Sequence, residues 1–424
     1  AFDMGGTTAK ACLVDRGRPF TTNGFEVARV EVGKRGSGLP LRVPAMDLME
    51  IGAGGGSIAW IDALGLLRVG PESAGADPGP ACYGTGGKAP TVTDADLLLG
   101  RLAPDRFLGG AMTLDVEAAR AALATVARPL RLGLVEAAAG IGRLVDENMA
   151  SAARVHVLEK GKDPRRYPLF AFGGAGPVHA CGVARLLGTS TILVPRGAGV
   201  TAALGFLAAP IATDQIRSDP TRLERADWAR VRALLAELEQ AAVATLVGAG
   251  VSRARIVVER AADMRYLGQG FEVTTPLPSG RLDARRADAI ARSFLATYRG
   301  RYGQAVRDQP LEVVSWRVHA RSPRPAVTLE PVPRGTDARR ALTGRRPAYF
   351  EPVGFVATPV YDRDRLGAGA RLRGPALLEE RESTLVVPPG AAVTITRAGH
   401  AVVVLGPIVR SRRRHPQTQR DRVR

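Results

Sequence analysis

Apolar residues recur at intervals of three and four from Leu114 to Lys160, most regularly in LVEAAAGIGRLVDENMASAARVHVLEK. This period predicts an amphipathic helical region, which ends at Gly161 and Pro164. The same reasoning predicts helices over PVHACGVARLLG and over residues 223–249. The short segment ALGFLAAPI is apolar at nearly every position, so we expect a further helix that is buried on all sides.

Shorter apolar runs between these helices predict strands. YPLFAFGG and TILVP flank PVHACGVARLLG, and a strand, a helix and a strand at this spacing imply a parallel pair joined by a crossover. ACLVD and FEVARVEV, near the start of the chain, also have strand patterns, and RIVVERAADMRYLGQGFEVTTPL predicts two strands around a Gly-Gln-Gly turn. Because strands and helices alternate, we expect a mixed α/β fold.

The composition of the chain changes in its C-terminal half. The proline-rich stretch RSPRPAVTLEPVPRG is typical of a linker, and the segment after it, dense in valine, glycine and proline, predicts a small β-rich lobe. We therefore expect a core domain with glycine-rich loops at 1–215, an α+β extension at 216–325, a C-terminal β-rich domain at 326–405 and a disordered basic tail at 406–424.

The formal net charge of +18 raises the question of nucleic-acid binding. The tail RSRRRHPQTQRDRVR supplies a third of that excess, with seven arginines against one aspartate. Elsewhere no basic stripe is interleaved with aromatic residues, as a nucleic-acid groove would require. We expect a solvated tail and no nucleic-acid partner, and the alternative is a tail that touches RNA or a membrane surface.

Membrane and metal-cage classes are also disfavoured by the sequence. Glycines, a proline and a histidine interrupt the longest apolar candidate, YPLFAFGGAGPVHACGVARLLG, so we expect no membrane span. The cysteines, Cys12, Cys82 and Cys181, are far apart and form no CxxC pair. This spacing argues against a zinc site and for a reducing, cytoplasmic location.

A glycine-rich turn follows the first apolar residues, in the string FDMGGTTAK. Gly5 and Gly6 allow the backbone to approach a ligand closely, and Thr7 and Thr8 add hydroxyl groups. Backbone N–H groups in such a turn form a concave site for phosphate oxygens. The carboxylate of Asp3 would repel a bare phosphate, so we expect Asp3 to hold a Mg²⁺ ion there. The alternative is a plain hairpin with an Asx-type turn.

A second glycine-rich turn, FAFGGAGPVHA, lies between a predicted strand and a predicted helix. It contains Gly173, Gly174 and Gly176, and Pro177 suits the first turn of the helix. Such a turn can hold an anion or a nucleotide against the helix N-terminus. It has neither the GxxxxGK[ST] pattern of a P-loop nor the GxGxxG spacing of a dinucleotide fold. A third glycine-rich run, EIGAGGGSIAWID, precedes an apolar segment.

The turn-rich stretch at 72–100 lacks the repetition of a linker, so we expect an ordered functional loop. Asp94 precedes the apolar LLLG near its end, and two interpretations of this residue stay open: a helix cap or a catalytic group. Cys82 has no basic neighbour in sequence, which disfavours a nucleophilic role.

Three further residue sets invite a structural interpretation. His179 either faces the site or packs within its helix, and His156 is expected to be structural. Glu379 and Glu380 have the pattern of a solvated edge.

Several long strings occur here in the order and spacing of the hydantoinase A/oxoprolinase family: DMGGTTAKA, IGAGGGSIAWID, GPESAGADPGPACYG, PTVTDADLLLG and FGGAGPVHACGVARLLG. The similarity continues through ILVPRGAGVTAALGFLAA, ADMRYLGQGFEV and GPALLEERESTLVVPPG. This resemblance implies one half of an actin-like ATPase, ribonuclease H-like fold, with ATP and Mg²⁺ as cofactors. DMGGTT resembles a phosphate loop and FGGAGP a nucleotide-contacting loop, which assigns to ATP the residues Asp3, Gly5, Gly6, Thr7, Thr8, Gly173, Gly174 and Gly176.

The resemblance also implies an activity and partners. We expect ATP-dependent opening of a cyclic amide, such as a hydantoin or 5-oxoproline, through a phosphorylated intermediate; the alternative enzyme is the ATP-using subunit of a ketone carboxylase. Family members carry an upstream domain with its own DxGGT loop, so we expect this chain to lack an N-terminal hydantoinase A domain and to be N-terminally truncated. A hydantoinase B-type subunit or domain is the expected partner. A chain without its upstream half could also be an inactive fragment.

Overall fold

The computed structural model describes residues 1–22, 24–27, 38–41, 43 and 45–406. The chain forms two compact units, one built from Ala1–Leu204 together with the chain from Leu329 onward, and the other from Gly205–Thr328. The structure thus divides the chain differently from the domains expected at 1–215, 216–325 and 326–405, because the C-terminal β-rich segment belongs to the first unit. Part of the predicted strand FEVARVEV, and residues 407–424 of the predicted tail, lie outside the described residues.

The N-terminal part of the first unit contains short strands and helices. Its strands are β1 (Phe2–Met4), β2 (Ala9–Cys12), β3 (Val14–Asp15), β4 (Arg18–Pro19), β5 (Thr21–Thr22), β6 (Phe25–Val27), β7 (Leu39–Leu41), β8 (Ala45–Met46), β9 (Leu48–Ile51), β10 (Ser57–Ile61), β11 (Leu67–Ser73), β12 (Leu169–Phe172) and β13 (Thr191–Val194). Its helices are α1 (Val92–Leu98), α2 (Val116–Ala127), α3 (Leu134–Leu158) and α4 (Gly176–Leu187), and α5 (Thr201–Ala208) follows at the boundary with the second unit.

The second unit is an antiparallel sheet covered by two long helices. Its elements are β14 (Ala212–Arg222), α6 (Trp228–Gly248), β15 (Val257–Tyr266), β16 (Val273–Pro276), α7 (Ala287–Tyr302) and β17 (Leu311–Arg321). The strands lie in the order β14-β17-β15-β16. Trp316 and Phe294 are fully buried in a core shared by sheet and helices. The predicted helix at 223–249 and the predicted strand pair around Gly-Gln-Gly are confirmed.

The C-terminal part of the first unit is β-rich, as predicted. Its strands are β18 (Leu342–Phe350), β19 (Gly354–Asp362), β20 (Arg371–Arg373), β21 (Ala376–Glu379), β22 (Thr384–Val387), β23 (Ala392–Ile395) and β24 (Ala401–Val404). Four of them form a separate sheet in the order β18-β19-β21-β22, while β20, β23 and β24 extend the main sheet of the first unit.

Short 3₁₀ turns occur in both units, at Ala81–Tyr83, Leu108–Gly110, Pro164–Arg166, Ala198–Val200, Leu223–Arg225, Arg253–Arg255, Ala284–Arg286, Ala338–Ala341 and Arg363–Arg365.

The main sheet has eight strands in the order β20-β23-β24-β13-β12-β1-β2-β9. Strands β1, β12 and β13 are mutually parallel, whereas β2 and β9 pair antiparallel beside β1. Helix α4 makes the crossover from β12 to β13, as the strand–helix–strand pattern predicted. Because the carboxyl ends of parallel strands meet at one edge of a sheet, the turns after β1 and β12 lie side by side there.

The helical region predicted from Leu114 to Lys160 is confirmed and consists of two helices, α2 and α3. One helix prediction needs correction. Helix α5 overlaps the segment ALGFLAAPI, but it is not buried: Phe206 is 86% exposed and Leu207 is 63% exposed. An apolar composition indicates where burial would be favourable, and it does not ensure that a neighbour covers the helix.

Candidate functional site

The turn between β1 and β2 is closed by a hydrogen bond that the Gly5 N–H donates to the Thr8 carbonyl at 3.1 Å. Gly6 and Thr7 lie exposed at its tip. Within the described part of the chain, no hydrogen bond uses the N–H groups of Gly6, Thr7 or Thr8. These free donors leave the turn able to bind phosphate oxygens, as the sequence predicted.

Asp3 lies at the end of β1, next to this turn, and its side chain is partly buried. Among the described residues, its carboxylate has no hydrogen-bonding or ion-pair partner. Burial raises the pKa of Asp3, and the nearby Lys10 ammonium opposes that shift. Lys10 itself donates a hydrogen bond to Thr8 Oγ1 at 2.8 Å, so its charge lies beside the phosphate turn. A carboxylate without a partner is available to a cation.

The second glycine-rich turn follows β12, whose Phe172 is in register with Asp3 of β1. Gly173 has a φ of 89°, a conformation that L side chains rarely adopt. A Cβ atom built on Gly173 would lie 2.8 Å from the Met4 carbonyl carbon and still closer to Asp3 Oδ1. The N–H of Ala175 donates to the Met4 carbonyl at 3.0 Å. The second turn therefore packs directly against Asp3 and Met4, the residues of β1 that lead into the first turn.

Helix α4 begins at this second turn. Gly176 is its first residue and Pro177 follows in the first turn, as expected from the fixed φ of proline. Gly174 is exposed, whereas Gly173 and Gly176 are buried. Exposed backbone at the N-terminal end of a helix favours anions through its free N–H groups and the helix dipole.

A third glycine-rich segment at 52–57 supports the phosphate turn. The N–H groups of Gly55 and Gly56 donate to the carbonyls of Gly5 and Gly6, at 3.0 and 2.5 Å. A Cβ atom on Gly54 would lie 2.6 Å from the carbonyl carbon of Thr7, so only glycine permits this approach. The sequence analysis assigns no role to this glycine run, although its length indicates a close backbone approach.

Helix α1 holds this third segment in turn. The N–H and the hydroxyl of Thr93 both donate to the Gly55 carbonyl, at 2.7 and 2.8 Å. Asp94 completes a capping box at the start of the helix, where it accepts hydrogen bonds from the Thr91 N–H at 2.9 Å, from the Thr91 hydroxyl at 2.7 Å and from the Cys82 N–H at 2.8 Å. Since Asp94 is fully buried, this geometry corresponds to the capping interpretation and offers no route to a substrate.

Other candidate residues are also buried. Burial raises the pKa of the Cys82 thiol far above its usual value, and the Asp94 carboxylate adds to the shift, which disfavours a nucleophilic thiolate. His156 is 3% exposed, in agreement with its expected structural role. His179 is 1% exposed and does not face the exposed part of the turns.

The expectation of a solvated edge at Glu379 and Glu380 is wrong. Glu380 accepts hydrogen bonds from the N–H groups of Gly197 and Ala198 at 3.2 and 2.9 Å, and pairs with Arg363 Nη1 at 3.0 Å. Glu379 pairs with Arg346 Nη1 at 2.6 Å. Both carboxylates are buried because their partners come from distant parts of the chain, which the neighbouring sequence does not reveal.

A cavity of about 250 Å³ opens beside the second turn. Its wall includes Gly174, Arg106, Phe107, Glu379 and Glu382. Arginines also line this cavity, and Arg106 and Arg381 lie within ion-pair distance of Glu379 and Glu382, so the wall offers polar groups of both signs.

The described residues contain no cluster of three or more histidine, cysteine or acidic residues that could hold a metal on its own. Mg²⁺ does not need such a cluster, because it is usually held by one or two carboxylates together with phosphate oxygens and water. The unpartnered Asp3 beside a turn with free N–H groups fits that donor set.

Comparison with known proteins adds the family. A model of the hydantoinase/oxoprolinase family matches residues 1–215, and one of the hydantoinase/oxoprolinase C-terminal domain matches residues 220–400. The chain belongs to the hydantoinase/oxoprolinase family. This hydantoinase/oxoprolinase chain is 36% identical over 405 residues to the caprolactamase subunit alpha of Pseudomonas jessenii, covering 93% of this chain and 56% of that one. It is 29% identical over 435 residues to 5-oxoprolinase 1 of Arabidopsis thaliana, covering 97% and 32%.

Solved structures of relatives have the same architecture. The crystal structure of the ATP-dependent caprolactamase from Pseudomonas jessenii matches with a TM-score of 0.76 and 34% identity, over 96% of this chain and 58% of that one. Acetone carboxylase, in a nucleotide-free structure from a study of ATP-dependent acetone carboxylation, matches with a TM-score of 0.79 and 28% identity, over 95% and 57%. The expected α/β fold of the family is thus confirmed. The hydantoinase/oxoprolinase chain spans little more than half the length of these proteins.

Two expected features of the chain's setting can be compared with the structure. Across the described residues, no helix combines the length and the hydropathy needed to cross a membrane. Cys12, Cys82 and Cys181 are all free thiols.

Proposed function

We propose that this chain supplies one half of an ATP site, in which the turn at 5–8 binds phosphate groups and the turn at 173–176 contacts the nucleotide. The observation that carries the proposal is the packing of the second turn against Asp3 and Met4, directly before the first turn, where the carboxylate of Asp3 has no partner among the described residues. The relatives described as an ATP-dependent caprolactamase and as an enzyme of ATP-dependent acetone carboxylation support it.

The chain's own groups have separate roles in this proposal. The free N–H groups of Gly6 and Thr7 orient phosphate oxygens, and Lys10, held against Thr8, adds positive charge beside them. Asp3 would hold Mg²⁺, which when bound neutralises phosphate charge during phosphoryl transfer. The exposed backbone of Gly174 and the adjoining cavity would receive the nucleoside end of ATP.

The reaction we propose is the opening of a cyclic amide. The γ-phosphoryl group passes to the amide oxygen, ADP leaves, and water attacks the activated carbon. The ring C–N bond then breaks, which opens the ring and leaves an acyl phosphate. A second water molecule hydrolyses this acyl phosphate to a carboxylate and inorganic phosphate. A neutral amide is a poor electrophile, so phosphorylation of its oxygen makes the carbon reactive towards water. Caprolactam, 5-oxoproline and hydantoins share this chemistry, and relatives named for the first two support the proposal.

Carboxylation of a ketone is the second candidate. The match to acetone carboxylase is the observation that favours it, since its TM-score of 0.79 is as high as that of caprolactamase. In that reaction, ATP would phosphorylate the enol oxygen of the ketone instead of an amide oxygen.

We also propose that the complete enzyme needs further protein. The chain covers 56% of the caprolactamase subunit alpha, and the word subunit in that name points to a second chain in that relative. A second ATPase half with its own phosphate loop and a hydantoinase B-type subunit are the proposed partners. A reducing, cytoplasmic setting fits the free cysteines.

Calorimetry with Mg-ATP tests the nucleotide site, using the chain alone and the chain mixed with the upstream half of a relative. Asp3→Asn should weaken Mg-ATP binding about tenfold or more, equivalent to about 1.4 kcal/mol. Glu117→Gln is the matched control, because it removes an 85% exposed carboxylate on α2. If Asp3→Asn and Glu117→Gln bind Mg-ATP as wild type does, the assignment of Asp3 is wrong. ATP consumption with caprolactam, 5-oxoproline and hydantoin, against acetone with bicarbonate, then separates the two reactions.

A further inference from the structure

A buried histidine joins three helices beneath the glycine-rich turns. His179 of α4 places Nε2 at 3.0 Å from Asp96 Oδ2 of α1, and Nδ1 at 2.8 Å from Asp146 Oδ1 of α3. The His179 side chain is fully buried, and those of Asp96 and Asp146 are 4% and 15% exposed. This cluster belongs to none of the sites predicted from the sequence.

The geometry around His179 favours the charged form of its ring. Both ring nitrogens face a carboxylate, and a neutral imidazole can donate from only one of them. An imidazolium ion, which donates from both nitrogens, satisfies both carboxylates at once, and we assign this form to His179. Although burial lowers the pKa of His179, Asp96 and Asp146 raise it to about 9. Arg101 Nη1 balances the second charge at 2.9 Å from Asp96 Oδ1, and the buried Cys181 thiol is neutral because burial raises its pKa to about 12.

The packing of α3 against α4 is adapted to this ion pair. A Cβ atom on Gly182, one turn beyond His179, would lie 2.8 Å from Asp146 Cγ. Glycine at this position is what lets the Asp146 carboxylate reach the imidazolium between the helices. A larger side chain at this position would displace the Asp146 carboxylate from His179.

Short connections lead from the histidine to both glycine-rich turns. On one side, His179 lies in the first turn of α4, directly after the turn at 173–176. On the other side, Asp96 lies one helical turn after Thr93, which holds the Gly55 carbonyl, and the Gly55 N–H holds the Gly5 carbonyl. The imidazolium thus connects the helix that begins at the nucleotide turn with the helix that supports the phosphate turn.

We propose that protonated His179 is a positioning residue that fixes the spacing between the phosphate turn at 5–8 and the nucleotide turn at 173–176. Its effect on Mg-ATP rests on the proposed function, whereas its effect on the two turns does not.

Hydrogen exchange of the nucleotide-free full chain tests the positioning directly. In His179→Gln, the bonded amides of Gly5, Gly55 and Ala175 should exchange about tenfold faster or more, because a buried carboxylate has lost its charged partner. His156→Gln is the matched control, since it alters a histidine on α3 that is equally buried and outside the cluster. Equal acceleration in both variants, or uniform acceleration through the unit in His179→Gln, would overturn the proposal.

A second pair of measurements remains informative if His179→Gln fails to fold. In wild type labelled with ¹⁵N-histidine, both ring nitrogens of His179 should carry protons at pH 7. Protection of Gly55 and Ala175, corrected for intrinsic exchange, should fall as the ring loses a proton. If His179 becomes neutral and these amides keep their protection, it does not position the turns.

Binding of Mg-ATP separates the inference from the proposed function. If wild type binds, His179→Gln should weaken binding about tenfold or more while His156→Gln leaves it unchanged. If wild type does not bind Mg-ATP with or without an upstream half, the nucleotide proposal fails, and the exchange experiments still decide the role of His179.

Discussion

Replacing Gly173 by alanine tests the contact on which the candidate site depends. The residue has a φ of 89°, and its missing Cβ would lie 2.8 Å from the Met4 carbonyl carbon and closer still to Asp3 Oδ1, well under the 3.0 Å that real Cβ contacts respect. The left-handed backbone alone costs alanine about 1–2 kcal/mol. Crowding against the backbone of β1 adds about 1–3 kcal/mol. We therefore expect Gly173→Ala to lower the free energy of unfolding of the first unit by about 2–5 kcal/mol.

Urea unfolding followed by circular dichroism measures this loss, and the neighbouring glycine provides a matched control. Gly174 is exposed, its φ lies outside the left-handed region, and the nearest atom to a Cβ there is the Glu382 carbonyl oxygen at 3.4 Å. Gly174→Ala should therefore change the free energy of unfolding by less than about 1 kcal/mol. Equal losses in the two variants would refute the close approach of the second turn to Asp3 and Met4 of β1.

Three further changes have defined outcomes. Asp3→Asn should keep or slightly raise the free energy of unfolding in urea, because the half-buried carboxylate has no partner within the described residues and burial raises its pKa. A clear loss of stability would mean that Asp3 is a structural group. The stability contributed by His179, of the order of 3 kcal/mol, should be fully present below about pH 6.5 and lost as pH rises through about 9, since folding raises the pKa of His179. Thermal melts from pH 6 to 10 measure this loss, and His179→Gln should show no such dependence on pH. Asp94→Ala should lower the free energy of unfolding in urea by about 2–5 kcal/mol, because it leaves the buried N–H groups of Thr91 and Cys82 without an acceptor. A loss under about 1 kcal/mol would contradict the capping role.

Local patterns in the sequence were sufficient to predict those elements whose contacts are between residues close together in the chain. The strand–helix–strand unit β12-α4-β13, the long helix α6 and the pair β15-β16 all follow from period and turn residues. The two glycine-rich turns could likewise be identified one at a time. Their position side by side depends on the parallel pairing of β1 with β12, which joins distant parts of the chain.

The remaining features depend on contacts that no local pattern contains. Glu380 is buried because Arg363 and the N–H groups of Gly197 and Ala198 approach it. His179 finds its carboxylates on two other helices. In each case a polar residue is buried because of a partner far away in sequence, and hydropathy alone predicts the opposite.

The pairing of β24 with β13 has a consequence for how the protein is made and dissected. During synthesis, the main sheet stays incomplete until the ribosome has released the chain through Val404, whereas the second unit is contiguous and can fold earlier. A fragment ending at residue 215 would retain both glycine-rich turns, yet it would expose the open edge of β13 to other copies. Aggregation of such a fragment would therefore report a missing strand and not a defective nucleotide site.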